Sequence, residues 1–272
     1  MIAQRLLIVN ADDFGFTRDV NEGILEAHHR GILTATTMMA NGAAFEHAAT
    51  LARKTPTLDI GCHLVLVGGN SILPPHAPLP IDVKSLLGAL ARGRIAIESE
   101  LDAQVRRILD AGLRPTHLDT HKHTHLLPPV LAAVARLGRK YAIPWVRRPF
   151  DFPRHAGQVP LLRRMLSRGL GFLRPKFHRV LEEHGCRTTD HFAGFSITGY
   201  LRIAELLAML RDLPPGSTEF MTHPGFCTAE LMAAPTRLKQ QRQQELEALT
   251  SPEAREALKQ SGIRLASYRD LP

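Results

Sequence analysis

Unbroken apolar runs and helical apolar stripes alternate along the chain. Residues 6–9 are four consecutive apolar positions, the pattern of a strand buried on both faces. Thr17 then stands where a helix N-cap belongs, with Asp19 and Glu22 in the first turn and Gly31 at the end. Residues 32–40 predict a second strand. Residues 44–54 predict a helix with Phe45, Ala48, Leu51 and Ala52 on one face and Pro56 beyond it. A third strand over 59–67 is apolar except for His63 and opens into a proline-rich loop over 68–82, long enough to border a site. A helix over 97–111, a strand ending in residues 116–125, a helix over 129–141 and a strand over 143–149 follow. Residues 190–194 read as a polar interruption. A helix over 201–213 and a strand from Thr218 to a Pro-Gly turn at 224–225 come next, then a helical tail. The final helix opens at Ser251-Pro252, and residues 263–267 predict a closing strand.

About seven strands thus alternate with helices, and polar residues recur where strands end: Asp12 and Asp13, His63, His117 to His125, Arg147 and Arg148, His223. This is the pattern of a (β/α) barrel with its site at the C-terminal rim, in one domain spanning residues 1–272. A doubly wound open sheet is the alternative, but its glycine-rich phosphate fingerprint is missing.

Composition narrows the partners. A formal charge of +8 favours anionic ones, while 6% aromatic content and the lack of an arginine-rich run with interleaved aromatics argue against nucleic acid. Three separated cysteines without a Cys-x-x-Cys predict a reduced, cytoplasmic chain. No apolar stretch reaches the roughly 18 residues of a membrane span, so a soluble protein is expected. Residues 152–181 hold seven Lys or Arg and no acid, mixed with Leu and Phe. They predict a basic amphipathic helical insertion at about 152–184. It reads either as a surface helix pair or as an element that lies on an anionic membrane or a lipid-bearing substrate.

The chemistry concentrates in residues 116–125, which hold four of the 14 histidines and Asp119. If extended, His121, His123 and His125 share a face; if helical, His121 and His125 stack. Two adjacent carboxylates, Asp12 and Asp13, end the first strand, where desolvation demands a compensating cation or hydrogen bonds. Asp13, His63 and one or more of His121, His123 and His125 can form a carboxylate-plus-two-histidine metal site. Such a site suits zinc, and also manganese, iron or cobalt; magnesium is less natural with two imidazoles. Asp12 beside it is free to act as a base, and His223 from a distant strand end can supply an acid.

The runs Val9-Asn10-Ala11-Asp12-Asp13-Phe14-Gly15, His63-Leu64, His117 to His125 and Thr222-His223-Pro224-Gly225 together resemble the YdjC-like carbohydrate deacetylases. The resemblance implies a distorted (β/α) barrel, a divalent metal (zinc first, with magnesium, manganese or cobalt as alternatives) and removal of an N-acetyl group from an amino sugar. By motif match, Asp12 is the base, Asp13, His63 and His125 are metal ligands, and His223 is the acid. His121, His123 and His117 become candidates for support or sugar contacts, Asp119 for orienting an imidazole, and Arg147 or Arg148 for orienting Asp12 or the substrate. The segment after Pro149 looks most like the branch associated with hopanoid biosynthesis. That implies a lipid-linked substrate and peripheral contact with the inner membrane surface; homo-oligomerisation stays open. A soluble chito-oligosaccharide deacetylase, a metal-dependent phosphohydrolase and a non-catalytic metal- or sugar-binding protein are the competing readings.

Overall fold

The longest described strand, β1 (Arg5–Phe14), lies at the centre of the sheet, and the computed structural model describes residues 4–152, 165 and 169–272. Along β1 the side chains alternate. Leu7, Val9 and Ala11 join the large core shared with the helices, whereas Ile8 belongs to a separate inner cluster with Ala35, Ala266 and Tyr268. Asn10 and Asp12 follow Ile8 on that inner face by the same alternation, so the polar end of the strand points inward. The apolar run read from the sequence therefore continues as strand through residues that face a polar interior.

The remaining strands are β2 (Ala35–Met38), β3 (Asp59–Leu64), β4 (His117–Thr120), β5 (Trp145–Val146), β6 (His191–Ala193), β7 (Gly216–Thr222) and β8 (Ile263–Leu265). All pair in parallel, in the order β5-β4-β3-β2-β1-β7-β6. β8 lies against residues 5–7 of β1, and β2 pairs with residues 10–14, so two short strands share one edge. Beyond the two end strands the chain comes together through isolated bridges, Trp145 with Arg187 and Asp151 with Phe192. The result is the expected distorted barrel, curled by parallel pairing and tied where regular pairing lapses. β6, read from the sequence as a polar interruption, is the additional strand.

The helices are α1 (Arg18–Arg30), α2 (Phe45–Lys54), α3 (Val83–Ala91), α4 (Ile97–Asp110), α5 (Pro128–Tyr141), α6 (Arg174–Glu183), α7 (Ile203–Arg211), α8 (Ala229–Ala233), α9 (Gln240–Thr250) and α10 (Pro252–Gln260). Thr17 caps α1 and Ser251 caps α10 as expected. Their apolar stripes, such as Val20, Ile24 and Ala27 of α1 or Val130, Val134 and Leu137 of α5, pack on the sheet. α3 was not legible as a helix; a reciprocal cap between Asp82 and Ser85 starts it where the proline-rich loop ends. Residues 153–164 and 166–168 of the expected basic insertion, with Arg154, Arg163, Arg164 and Arg168, lie outside the described residues. Among the described residues no helix is long and apolar enough to cross a membrane.

Candidate functional site

A layer of charge fills the barrel above Ile8 and Tyr268. Arg147, just past β5 and fully buried, donates Nη2–H to Asp12 Oδ1 at 2.7 Å and Nη1–H to Asp12 Oδ2 at 2.8 Å. The same guanidinium donates Nε–H to Glu219 of β7 at 2.6 Å and pairs with Asp119 of β4 at 2.6 Å. Burial alone would raise the Asp12 carboxyl, but Arg147, with His63 and His223 behind it, holds it below the ordinary carboxylate range. Glu219 shares the same arginine less favourably, and burial pushes it up to about 7. Asn10 Nδ2 donates to Asp12 Oδ1 at 3.2 Å, and its Oδ1 lies 3.0 Å from His117 Nε2. His117 in turn stacks on Tyr268 at 3.9 Å, over Gly61, where a Cβ would come within 2.5 Å of the imidazole. His117 is thus a support of Asn10 and the barrel floor.

Asp12 and Asp13 are neighbours, and a regular strand would send them to opposite faces. Asp13 escapes this by adopting φ 71°, at the point where the β1–β2 register shifts. Aspartate is among the few L residues that visit this region, and here its side chain is held by His63, His121 and Arg242. Asp13 Oδ1 then lies 3.3 Å from His63 Nε2 and 3.2 Å from His121 Nδ1, and those two nitrogens are 3.2 Å apart. Asp13 Oδ1 is buried without a hydrogen-bond donor. His63 Nδ1 sits 2.7 Å from Asp119 Oδ1, so that when the ring is neutral Nδ1 donates there and Nε2 turns its lone pair to Asp13 and His121. Donors on a common ion with bonds of about 2.1 Å are separated by roughly 3.0–3.4 Å. One carboxylate and two imidazoles converging at that spacing fit a divalent metal. A second acidic group, Asp12, His63 and Asp119, also converges, but there Arg147 already supplies the positive charge.

His121, rather than His125, completes this group. Residues His121–Leu126 form a tight 3₁₀ segment in which Lys122 (φ 53°) and His123 (φ 51°) are both left-handed. Neither the extended nor the helical spacing applies. The reversal leaves His121 at the end of β4 and carries His125 back into the wall. There His125 Nδ1 meets Thr120 Oγ1 at 2.6 Å and Nε2 meets the Arg147 carbonyl at 3.1 Å. Both ring nitrogens are engaged, and burial with the nearby Arg147 charge lowers its pKa to about 3. His125 is a neutral staple between the β4 turn and Arg147. His123 is also held neutral, by burial first, with its ring against Phe195 at 5.2 Å and Phe192 at 6.2 Å. Arg148 is directed to the carbonyls of Thr189 and Asp190, tying the segment after β5 to the approach of β6.

His223 comes from the end of β7, and its Nε2 lies 3.9 Å from Asp12 Oδ2. Burial lowers it to about 4. Its main-chain N–H donates to Glu245 Oε2 at 2.5 Å, and the same oxygen is 3.9 Å from Nδ1. Glu245 is pushed up to about 7 by burial. Arg242, one turn earlier on α9, bonds Asp13 Oδ2. Glu245 and Arg242 were missed in the sequence, as were Asn10, Glu219 and Thr37 of β2, whose hydroxyl donates to Asp119 Oδ2 at 3.1 Å. The helical tail gave no reason to look inward, although two charged residues three apart on a buried helix face were a signal.

The profile describing the YdjC-like protein family matches residues 6–260. A carbohydrate deacetylase of Brevibacillus brevis is 36% identical over 97% of this chain and 99% of its own. A chitooligosaccharide deacetylase of Klebsiella pneumoniae is 34% identical over 98% of this chain and 100% of its own. Among solved structures, a candidate cellobiose-phosphate cleavage protein from Enterococcus faecalis superimposes with a TM-score of 0.79 at 28% identity, covering 99% of both chains.

Proposed function

The chain belongs to the YdjC-like protein family, and from that premise we propose that it is a metal-dependent carbohydrate deacetylase that removes the N-acetyl group of an N-acetylglucosamine-type sugar. The observation that carries this reading is the convergence of Asp13 Oδ1, His63 Nε2 and His121 Nδ1 within 3.3 Å, next to the Asp12–His223 pair. The relatives described as carbohydrate and chitooligosaccharide deacetylases support it. When bound by these three side chains, a divalent ion supplies Lewis-acid polarisation of the acetyl carbonyl and of the attacking water. The donor set favours zinc, with manganese or cobalt as substitutes and magnesium less suited.

Asp12 accepts a proton from the attacking water. Arg147 keeps that carboxylate ionised and aimed, so it waits in the receiving form. His223 delivers a proton to the amide nitrogen, because nitrogen does not leave readily as an amide anion. Its Nε2, 3.9 Å from Asp12 Oδ2, is placed to receive the proton that Asp12 has taken. Water adds across the C–N bond, the acetyl carbon leaves as acetate and the sugar leaves as the amine.

The finer substrate reading is a lipid-linked amino sugar, such as a hopanoid glycolipid, met at the inner face of an anionic membrane by a cytoplasmic enzyme. Phe172 is 90% exposed beside exposed Leu173, Arg174, Lys176 and Arg179, an apolar tip with a basic surround that supports this reading. A soluble chito-oligosaccharide is the competing substrate. The test measures acetate from N-acetylated sugars and phosphate from phosphorylated sugars, with and without chelator. Acetate release abolished by chelation is expected. Phosphate release would mean a phosphohydrolase, and neither product a binding protein. Anionic vesicles carrying an N-acetylglucosaminyl lipid should bind the wild type. Phe172→Asp/Leu173→Asp should lose turnover of that lipid and keep turnover of a soluble analogue; equal losses would reject the membrane reading.

A further inference from the structure

Asp13 presents one carboxylate oxygen to the two imidazoles and the other to Arg242. Oδ1 faces His63 and His121; Oδ2 accepts from Arg242 Nη2. Arg242 is 2% exposed, and its Nε and Nη1 have no acceptor among the described residues, so Asp13 is its hydrogen-bonded carboxylate there. The arginine is fixed from behind: its carbonyl accepts from Gly225 N–H at 3.2 Å, and a Cβ on Gly225 would come within 3.4 Å of Arg242 Cδ. Asp13 sits in the left-handed region, a conformation that persists only where surrounding contacts impose it.

A carboxylate facing a divalent ion can offer one oxygen or both. Using both fills a position that water or the substrate carbonyl needs, because a catalytic site works with an open one. A charge-assisted bond from a guanidinium to one oxygen removes that choice. We propose that Arg242 is a positioning residue that holds Asp13 as a one-oxygen ligand and so keeps a coordination position open at this site. This rests on the reading of Asp13, His63 and His121 as metal ligands. It goes beyond that reading by assigning a task to a helix far away in sequence.

The test compares wild type, Arg242→Met and Arg242→Lys, each loaded with cobalt(II), by visible absorption, metal stoichiometry and kinetics. Methionine removes the donor, whereas lysine keeps a charged N–H donor that reaches nearly as far toward Oδ2. Arg242→Met is expected to retain one cobalt but to lose intensity in its visible bands, as a higher coordination number does. Its kcat should fall about 10- to 100-fold with KM little changed. Arg242→Lys should keep the wild-type spectrum. An unchanged spectrum in Arg242→Met overturns the proposal, as does a changed one in Arg242→Lys, which also decides the matter if the methionine variant does not fold. Failure of wild type to bind cobalt would sink the metal site itself and is read separately.

Discussion

Arg147 and Asp12, 135 positions apart, are joined by two parallel hydrogen bonds of 2.7 and 2.8 Å inside the barrel. The arrangement orients the carboxylate by its plane, which a lysine cannot do. It also makes Arg147 the counter-charge for Asp119 and Glu219. Arg147→Met is therefore expected to leave buried carboxylates uncompensated and to destabilise the fold by about 3–5 kcal/mol. Arg147→Lys should recover part of the stability and little of the activity. Urea unfolding beside a turnover assay checks both, and equal recovery of the two would argue against an orienting role.

His121 and His125 should separate cleanly. His121→Ala is expected to lower metal content, with a loss of affinity of about 10-fold or more, while thermal stability changes little. His125→Ala removes a staple on Thr120 and the Arg147 carbonyl, so stability should fall with a metal site still present. Elemental analysis of both purified variants gives the answer. Loss of metal only in His125→Ala would restore the motif-based ligand set.

The acid role of His223 predicts a leaving-group effect. His223→Ala should slow amide hydrolysis about 10²- to 10⁴-fold and slow an acetyl ester of the same sugar less, since an alkoxide needs less protonation. Equal losses on the two substrates would remove His223 from that role.

Glu245 predicts a pH dependence of stability. Its carboxyl is raised from 4.5 to about 7 by burial, so between those values the folded state holds a proton that the unfolded state has lost. Its contribution is fully favourable below pH 4.5 and declines as pH rises to about 7. Glu245→Gln, which still accepts from the His223 N–H, should gain stability over wild type on moving from pH 5 to 8, by up to ~3 kcal/mol. Denaturant midpoints at the two pH values measure it, and a constant difference would show that the carboxyl is not protonated in the fold.

The strand runs, most helices and the motif residues were legible because apolar periodicity and dense polar clusters are local properties of sequence. Asp12, Asp13, His63 and His223 lie at strand ends as expected. The choice among the cluster histidines was not legible, because it turns on left-handed Lys122 and His123, and neither residue type announces that conformation. β6 was hidden because it is three residues long, with only Phe192 and Ala193 buried, too short a run for apolar periodicity to mark. Arg242 and Glu245 were hidden in a helix whose buried charges make sense only once β1 and β7 stand beside it.

The closed position of Arg147 bears on ionic strength. Its guanidinium and the carboxylates of Asp119 and Glu219 are fully buried, and Asp12 opens to the site by only 3%, so mobile ions have little access to this group. Surface charges, by contrast, are screened over about 8–10 Å at physiological salt. Salt should therefore act on this protein from outside only, weakening encounter between its net charge of +8 and an anionic partner. The internal field at Asp12 stays nearly constant, so for a substrate carried on an anionic membrane KM should rise with salt while kcat holds.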